Sequence, residues 1–210
     1  MKKGFRVAVL LGLLSGCTTS PPTIGDPAPQ LTDRRAEQAY QEIFERYSDR
    51  AEIYDGFDTR MFAGATFQSL AFREARVRRQ GEFQILPKPR VEELLAKEHT
   101  EEAQFNEFHL GVHVNDYRFE DFANRKRSIW RIVMVTPAGE VEPLSVERIG
   151  RANLDMRAMY PYLGVFWVAY RVRFPKVQPD GTPLIAEGVS HVTLRLASTL
   201  GHAELRVHAR

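Results

Sequence analysis

Among the residues of this chain that could do chemistry, the six histidines come first. His109-Leu-Gly-Val-His113 has the four-residue spacing that would put two imidazoles on one turn of a helix, within reach of one metal ion. The flanking residues alternate in polarity, however, and on a strand four residues separate the two rings by ~13 Å. With metal–nitrogen bonds of ~2.1 Å, two such rings cannot share an ion. A site would need His191 or His208 brought beside one of them by a neighbouring strand. The plainer expectation is solvent-facing strand histidines. His99, among Glu98, Glu101 and Glu102, belongs on an acidic helix surface. Nucleophile motifs are missing: Gly-x-Ser-x-Gly, Ser-x-x-Lys and His-Glu-x-x-His do not occur, and there is no phosphate-binding glycine loop. Glu92-Glu93 and Glu101-Glu102 are adjacent, so on a helix they point in different directions and do not make acid/base pairs. No catalytic residue, no metal and no cofactor is expected.

Basic residues form the one pattern above background. Arg171, Arg173, His191, Arg195, Arg206 and His208 take the non-core positions of three alternating segments, with Trp167 among them and Glu204 opposing. If these segments are neighbouring strands, they present one cationic sheet face. Arg73, Arg76, Arg78 and Arg79 form a second group, and Arg125-Lys126-Arg127 a loop cluster. Clustered arginines suit carboxylates and phosphates, which points to an anionic partner. The competing expectation is that arginine stems cover apolar sheet surface, or that the groups pair with the acidic first helix.

The amino terminus carries a different signal. Lys2, Lys3 and Arg6 precede Val7-Ala-Val-Leu-Leu-Gly-Leu-Leu14, the charged and apolar regions of an export signal. The apolar run is far short of the ~20 residues that span a bilayer. Leu14-Ser15-Gly16-Cys17 follows and holds the only cysteine of the chain. It resembles the lipobox of bacterial lipoproteins. The resemblance implies cleavage between Gly16 and Cys17, diacylation of the Cys17 thiol and acylation of the new amino terminus. With Thr18 after that cysteine, the resemblance implies delivery to the outer membrane, facing the periplasm. Two or more acyl chains make such attachment durable. Lys2, Lys3 and Arg6 would leave with the signal, so 29 − 3 = 26 basic side chains would face 27 acidic ones, a formal charge of −1 in place of +2. Thr18 to Gln30 contains four prolines and little to bury, and reads as an extended tether.

The body must supply the elements that hold these residues. At 210 residues, 43% hydrophobic and 27% charged, the chain is that of a globular protein. Ala36, Ala39, Tyr40, Ile43, Phe44 and Tyr47 recur at helical spacing after a Thr32 or Asp33 cap. Asp55-Gly-Phe-Asp58 reads as a turn. A second helix is expected over Thr66 to Gln80, broken at Gly81, and a third from Pro89 that carries Val91, Leu94, Leu95 and Phe105. Beyond Phe105 the period becomes two. Strands are expected over Phe108–Val114, Ile129–Val135 (a central strand), Val141–Ile149, Phe166–Phe174, Val192–Leu196 and Ala203–Val207. The fold class is therefore α+β, with N-terminal helices packed on or leading into an antiparallel, broadly immunoglobulin-like β-sandwich. The expected divisions are a signal (1–16), lipidated cysteine and tether (17–31), a helical segment (32–104) and the sandwich (105–210). Through Ser128-Ile-Trp-Arg131, Tyr160-Pro-Tyr162 and Tyr170-Arg-Val-Arg-Phe-Pro175 the body resembles uncharacterised bacterial lipoproteins with short helices before a β-sandwich.

The expected role is a lipid-anchored cell-envelope protein that binds or supports and does not catalyse. Its partners would be the membrane through the anchor and an envelope protein or anionic envelope polymer, not nucleic acid. Two alternatives stand beside it. One is an accessory subunit docking through the basic face. The other is a metal-dependent envelope enzyme using His109, His113 and His191.

Overall fold

A computed structural model describes residues 34–124 and 126–210. Gly16, Cys17, the tether and the Thr32 or Asp33 cap lie outside the described residues. The first described element is α1 (Arg34–Tyr47), which buries the expected stripe of Tyr40, Phe44 and Tyr47. The segment 32–104 is not helical throughout: β1 (Ser48–Asp55) and β2 (Asp58–Phe67) form a hairpin inside it. Its turn is the Asp55–Asp58 tetrad, where Gly56 takes φ of 61°. The hairpin escapes pattern reading because β2 is covered on both faces. Small residues at Ala63, Gly64 and Ala65 hide the alternation.

Helix α2 (Leu70–Phe83) starts later than its pattern suggests, since Phe67 still belongs to β2. Ser69 caps it, accepting a 3.2 Å bond from the Phe72 amide. Gly81 does not break the helix. A Cβ there would come within 2.9 Å of a Val91 methyl, so the glycine lets α3 (Lys88–Gln104) approach closely. Phe105 leaves the helix and opens the next strand, β3 (Phe105–Val114).

The strands make two antiparallel sheets. The five-stranded sheet runs β1-β2-β3-β7-β6 and the four-stranded sheet β5-β4-β8-β9, where β4 is Arg131–Thr136, β5 Gly139–Val141, β6 Ser145–Arg151, β7 Val168–Pro175, β8 His191–Ser198 and β9 Gly201–His208. The strand expected over Val141–Ile149 is thus two strands in different sheets. Pro143, with no amide hydrogen to give a ladder, lies at the crossing. The inner faces share one core: Leu110, Val112, Tyr170 and Val172 from one sheet, and Ile132, Met134, Leu194 and Leu205 from the other. The sheets also meet at an edge, where the Arg206 amide donates to Asp49 at 2.7 Å. This is the α+β sandwich expected from the sequence.

The helices do more than lead in. Together with α4 (Leu154–Met159), they cover the outer face of the five-stranded sheet. That sheet is therefore buried on both sides at its centre, and the four-stranded sheet on one side only, with burial alternating along β8 and β9. No helix among the described residues is long and apolar enough to cross a membrane.

Candidate functional site

The interface between the helices and the five-stranded sheet gathers most of the buried polar groups. Its centre is Tyr160-Pro161-Tyr162-Leu163, lying across β2 and β3 where Gly64 pairs with Gly111. A Cβ at Gly64 would meet the Tyr162 ring at 2.5 Å, and one at Gly111 would meet Leu163 at 2.2 Å. Only glycines leave the depression that seats this segment.

His109 lies beside it and is 7% exposed, so it is not one of a row of solvent-facing histidines. Its ring stacks on Tyr160 with centroids 3.6 Å apart and planes within 2°. Nδ1 is 3.1 Å from the Tyr162 hydroxyl, which in turn donates to the His109 carbonyl at 3.0 Å. That hydroxyl has spent its proton, so Nδ1 carries the hydrogen. Burial, reinforced by the positive charges of Arg76 and Arg171, lowers its pKa to about 3. Burial likewise pushes the phenols of Tyr40, Tyr160 and Tyr162 above their ordinary value, so none ionises near neutral pH. Tyr40 donates to the Met159 carbonyl at 2.6 Å and Tyr160 to Gln68 at 3.2 Å.

One side of this cluster is a charge network. Arg73 is 1% exposed; its Nε donates to the Gln68 carbonyl at 2.8 Å and its guanidinium reaches Glu98, Glu101 and Glu107. Arg76 pairs with Glu98 at 2.6 Å. Arg79 pairs with Glu37 of α1 and lies 4.3 Å from the Tyr40 ring centroid. Glu98 is partly buried, which raises its pKa, but Arg76 and Arg73 outweigh that and hold it low. The basic group on α2 therefore neutralises acids of α1, α3 and β3. Arg78, the exception in burial, pairs with Glu74 on its own helix at 3.0 Å.

Next to the cluster, between α2 and α4, opens a cleft of about 410 Å³. Phe83, Leu154, Met156 and Met159 give it apolar walls, with Gln80, Gln84 and Asp155 at polar positions and Arg76 and Tyr160 within. The Nε of Arg76 is buried without a hydrogen-bond partner. Helix α2 ends beside this cleft in a Schellman motif: the Leu86 amide bonds the Gly81 carbonyl at 2.8 Å, and the Ile85 amide bonds Glu82 at 3.3 Å. The left-handed position, where glycine is usual, is Ile85 with φ of 50° and 89% exposure. A β-branched residue there carries backbone strain, a trait that concentrates at binding sites.

The single cationic face does not form. Strand β7 lies in the five-stranded sheet, β8 and β9 in the four-stranded one, so Arg171 and Arg173 are separated from His191, Arg195 and Arg206. The grouping assumed that segments alike in pattern are neighbours, which pairing alone decides. Arg171 meets Glu147 at 3.2 Å, and Arg173 meets Glu107 at 2.7 Å and Glu101 at 3.4 Å. Arg195 bonds Glu204 at 2.8 Å and also Glu140. Arg206 stands exposed on β9. Trp167 is buried against Phe62 and Tyr162. Arg125 lies outside the described residues, and Lys126 and Arg127 are exposed. His109 and His113 belong to one sheet and His191 to the other, and no group of three or more metal-ligating side chains occurs among the described residues. His99 is half-exposed and 2.9 Å from Glu74.

Pattern reading missed α4, the cleft and the role of Tyr160 and Tyr162. Two signals pointed there: isolated glycines within strand-like sequence, at 64 and 111, and the aromatic density of 160–170. In the comparisons, no family model matches the sequence, and neither a curated protein nor a solved structure is significantly similar to it.

Proposed function

We propose that this chain is a lipid-anchored cell-envelope protein whose folded body serves binding, without catalysis, and that the cleft between α2 and α4 is where it binds. The anchor rests on Leu14-Ser-Gly-Cys17 and the segment before it. The observation that carries the binding site is the cleft itself: a concave, largely apolar surface with a few convergent polar groups, beside a strained and exposed isoleucine. It suits an apolar group or side chain of an envelope component. The buried acids, bases and phenols beside it support binding over catalysis. Arg73, Arg79, Glu98 and Glu107 are held in internal ion pairs, and His109 is locked neutral between two tyrosines. An accessory subunit docking through a basic face is less well supported, because that face is divided between two sheets.

The test uses the full chain in its own cell envelope, with a photo-crosslinking residue at Gln84. The expected outcome is membrane fractionation and an adduct at Gln84 that disappears in a Met156→Glu background. Cys17→Ala should leave unprocessed or soluble protein. An adduct indifferent to Met156→Glu would remove the cleft as the site, and normal membrane fractionation of Cys17→Ala would remove the anchor.

A further inference from the structure

The strand pairing brings together two histidines that no sequence spacing could. His191 of β8 and His208 of β9 are direct cross-strand partners, with ring centroids 4.1 Å apart. Both rings lie on the outer face of the four-stranded sheet, because the inner face of the same strands is taken by Val192, Leu194, Leu205 and Val207. We propose that His191 and His208 form a surface site for one divalent transition-metal ion of the imidazole-preferring kind: copper, nickel or zinc.

Coordination geometry favours the pair. Two nitrogens that each lie ~2.1 Å from one ion are ~3 Å apart. Rings already at 4.1 Å reach that separation by side-chain rotation, with the backbone ladder intact. His109 and His113 fail the same criterion, being four residues apart on one strand. A second feature orients the pair. Ser190 Oγ is 2.9 Å from Nδ1 of His191, and in the tautomer that carries its hydrogen on Nδ1 this contact occupies Nδ1 and leaves Nε2 free for the ion. Such outer hydrogen bonds ordinarily select the ligating nitrogen of a metal-bound histidine. Both side chains are half-buried, so part of the ordering that an ion would require is already in place.

The rest of the coordination sphere is open. No third histidine, cysteine, aspartate or glutamate among the described residues joins the two rings, so water or a ligand donor would complete it. Arg206 shares this face of β9, but it is exposed, and water and salt screen its charge. Affinity should follow the general order for nitrogen donors, with copper ahead of nickel and zinc. The site lies on the other sheet from the α2–α4 cleft and is independent of the function proposed for it.

The test is calorimetric titration of the metal-free full chain with copper and nickel ions separately, at neutral pH. The result expected is one equivalent bound, with affinity at least tenfold lower in His191→Ala and in His208→Ala, and unchanged in His202→Ala. Each substitution is on the surface, and an unchanged circular dichroism spectrum shows that the variant is folded. No uptake by the wild-type chain, or equal uptake by the His191→Ala/His208→Ala double variant, overturns the proposal.

Discussion

The buried imidazole of His109 makes stability depend on pH in a way that can be worked out. Its pKa is about 3 in the folded chain and ~6.5 in an unfolded one. The folded-state value is the lower one, so the unfolded chain takes up the proton first. The contribution of this group is therefore complete above pH ~6.5 and is lost as pH falls from there towards 3. Each pH unit in that window is worth ~1.4 kcal/mol, so lowering the pH from 7.5 to 5 should remove ~2 kcal/mol. Glu98 does not intrude. Held below its ordinary value of 4.5, it gives up its own contribution only in more acid solution. The perturbation is His109→Phe, which keeps a ring against Tyr160 and leaves Tyr162 bonded to the backbone carbonyl of residue 109. Urea unfolding of both proteins at pH 7.5 and pH 5 gives a double difference from which the pH-independent cost of the substitution cancels. We expect the wild type to lose ~2 kcal/mol more than the variant over this interval. Parallel pH dependence in the two proteins would refute the account of a buried, neutral His109.

Arg73→Met removes an arginine partner from Glu98 and from Glu107, which keep Arg76 and Arg173, and should cost ~1–3 kcal/mol in urea unfolding; a loss below ~0.5 kcal/mol would mean that the remaining arginines neutralise the network by themselves. Gly64→Ala places a methyl 2.5 Å from the Tyr162 ring and should cost ~1–3 kcal/mol, with the near-ultraviolet signal of the tyrosines altered. Ile85→Gly should stabilise the fold by ~0.5–1 kcal/mol, because relief of ~1–2 kcal/mol of left-handed strain exceeds the added entropy of the unfolded chain. The same variant should weaken crosslinking from Gln84, and unchanged crosslinking would show that Ile85 takes no part in binding.

Much of the body was legible without coordinates. The stripe Tyr40, Phe44, Tyr47 announces α1 because a helix exposed on one side must sort its residues by polarity. Strands β8 and β9 announce themselves for the same reason, one face being wet and the other dry. Strand β2 was not legible. Helices cover its outer face and the sandwich core its inner one, so Ala63, Gly64 and Ala65 show no contrast to read. Helix α4, six residues long, is too short to display a period at all.

The candidate sites divide along the same line. Local properties are written in the sequence alone: the Leu-Ser-Gly-Cys17 motif, the four prolines of Thr18 to Gln30, the spacing that stops His109 and His113 from sharing an ion, and the abundance of arginine. What each arginine and histidine faces is not local. Arg171 and Arg195 occupy equivalent alternating positions, yet pairing sends one to each sheet and gives each its own carboxylates. His109 and His191 are likewise alike in pattern. One is sealed under Tyr160 and the other stands beside His208 on an open face. Alternation states only that successive side chains point to opposite sides of a strand. Which side is water, and which residue lies across the ladder, is set by register and layer packing between segments far apart in the chain, and only the tertiary structure decides it.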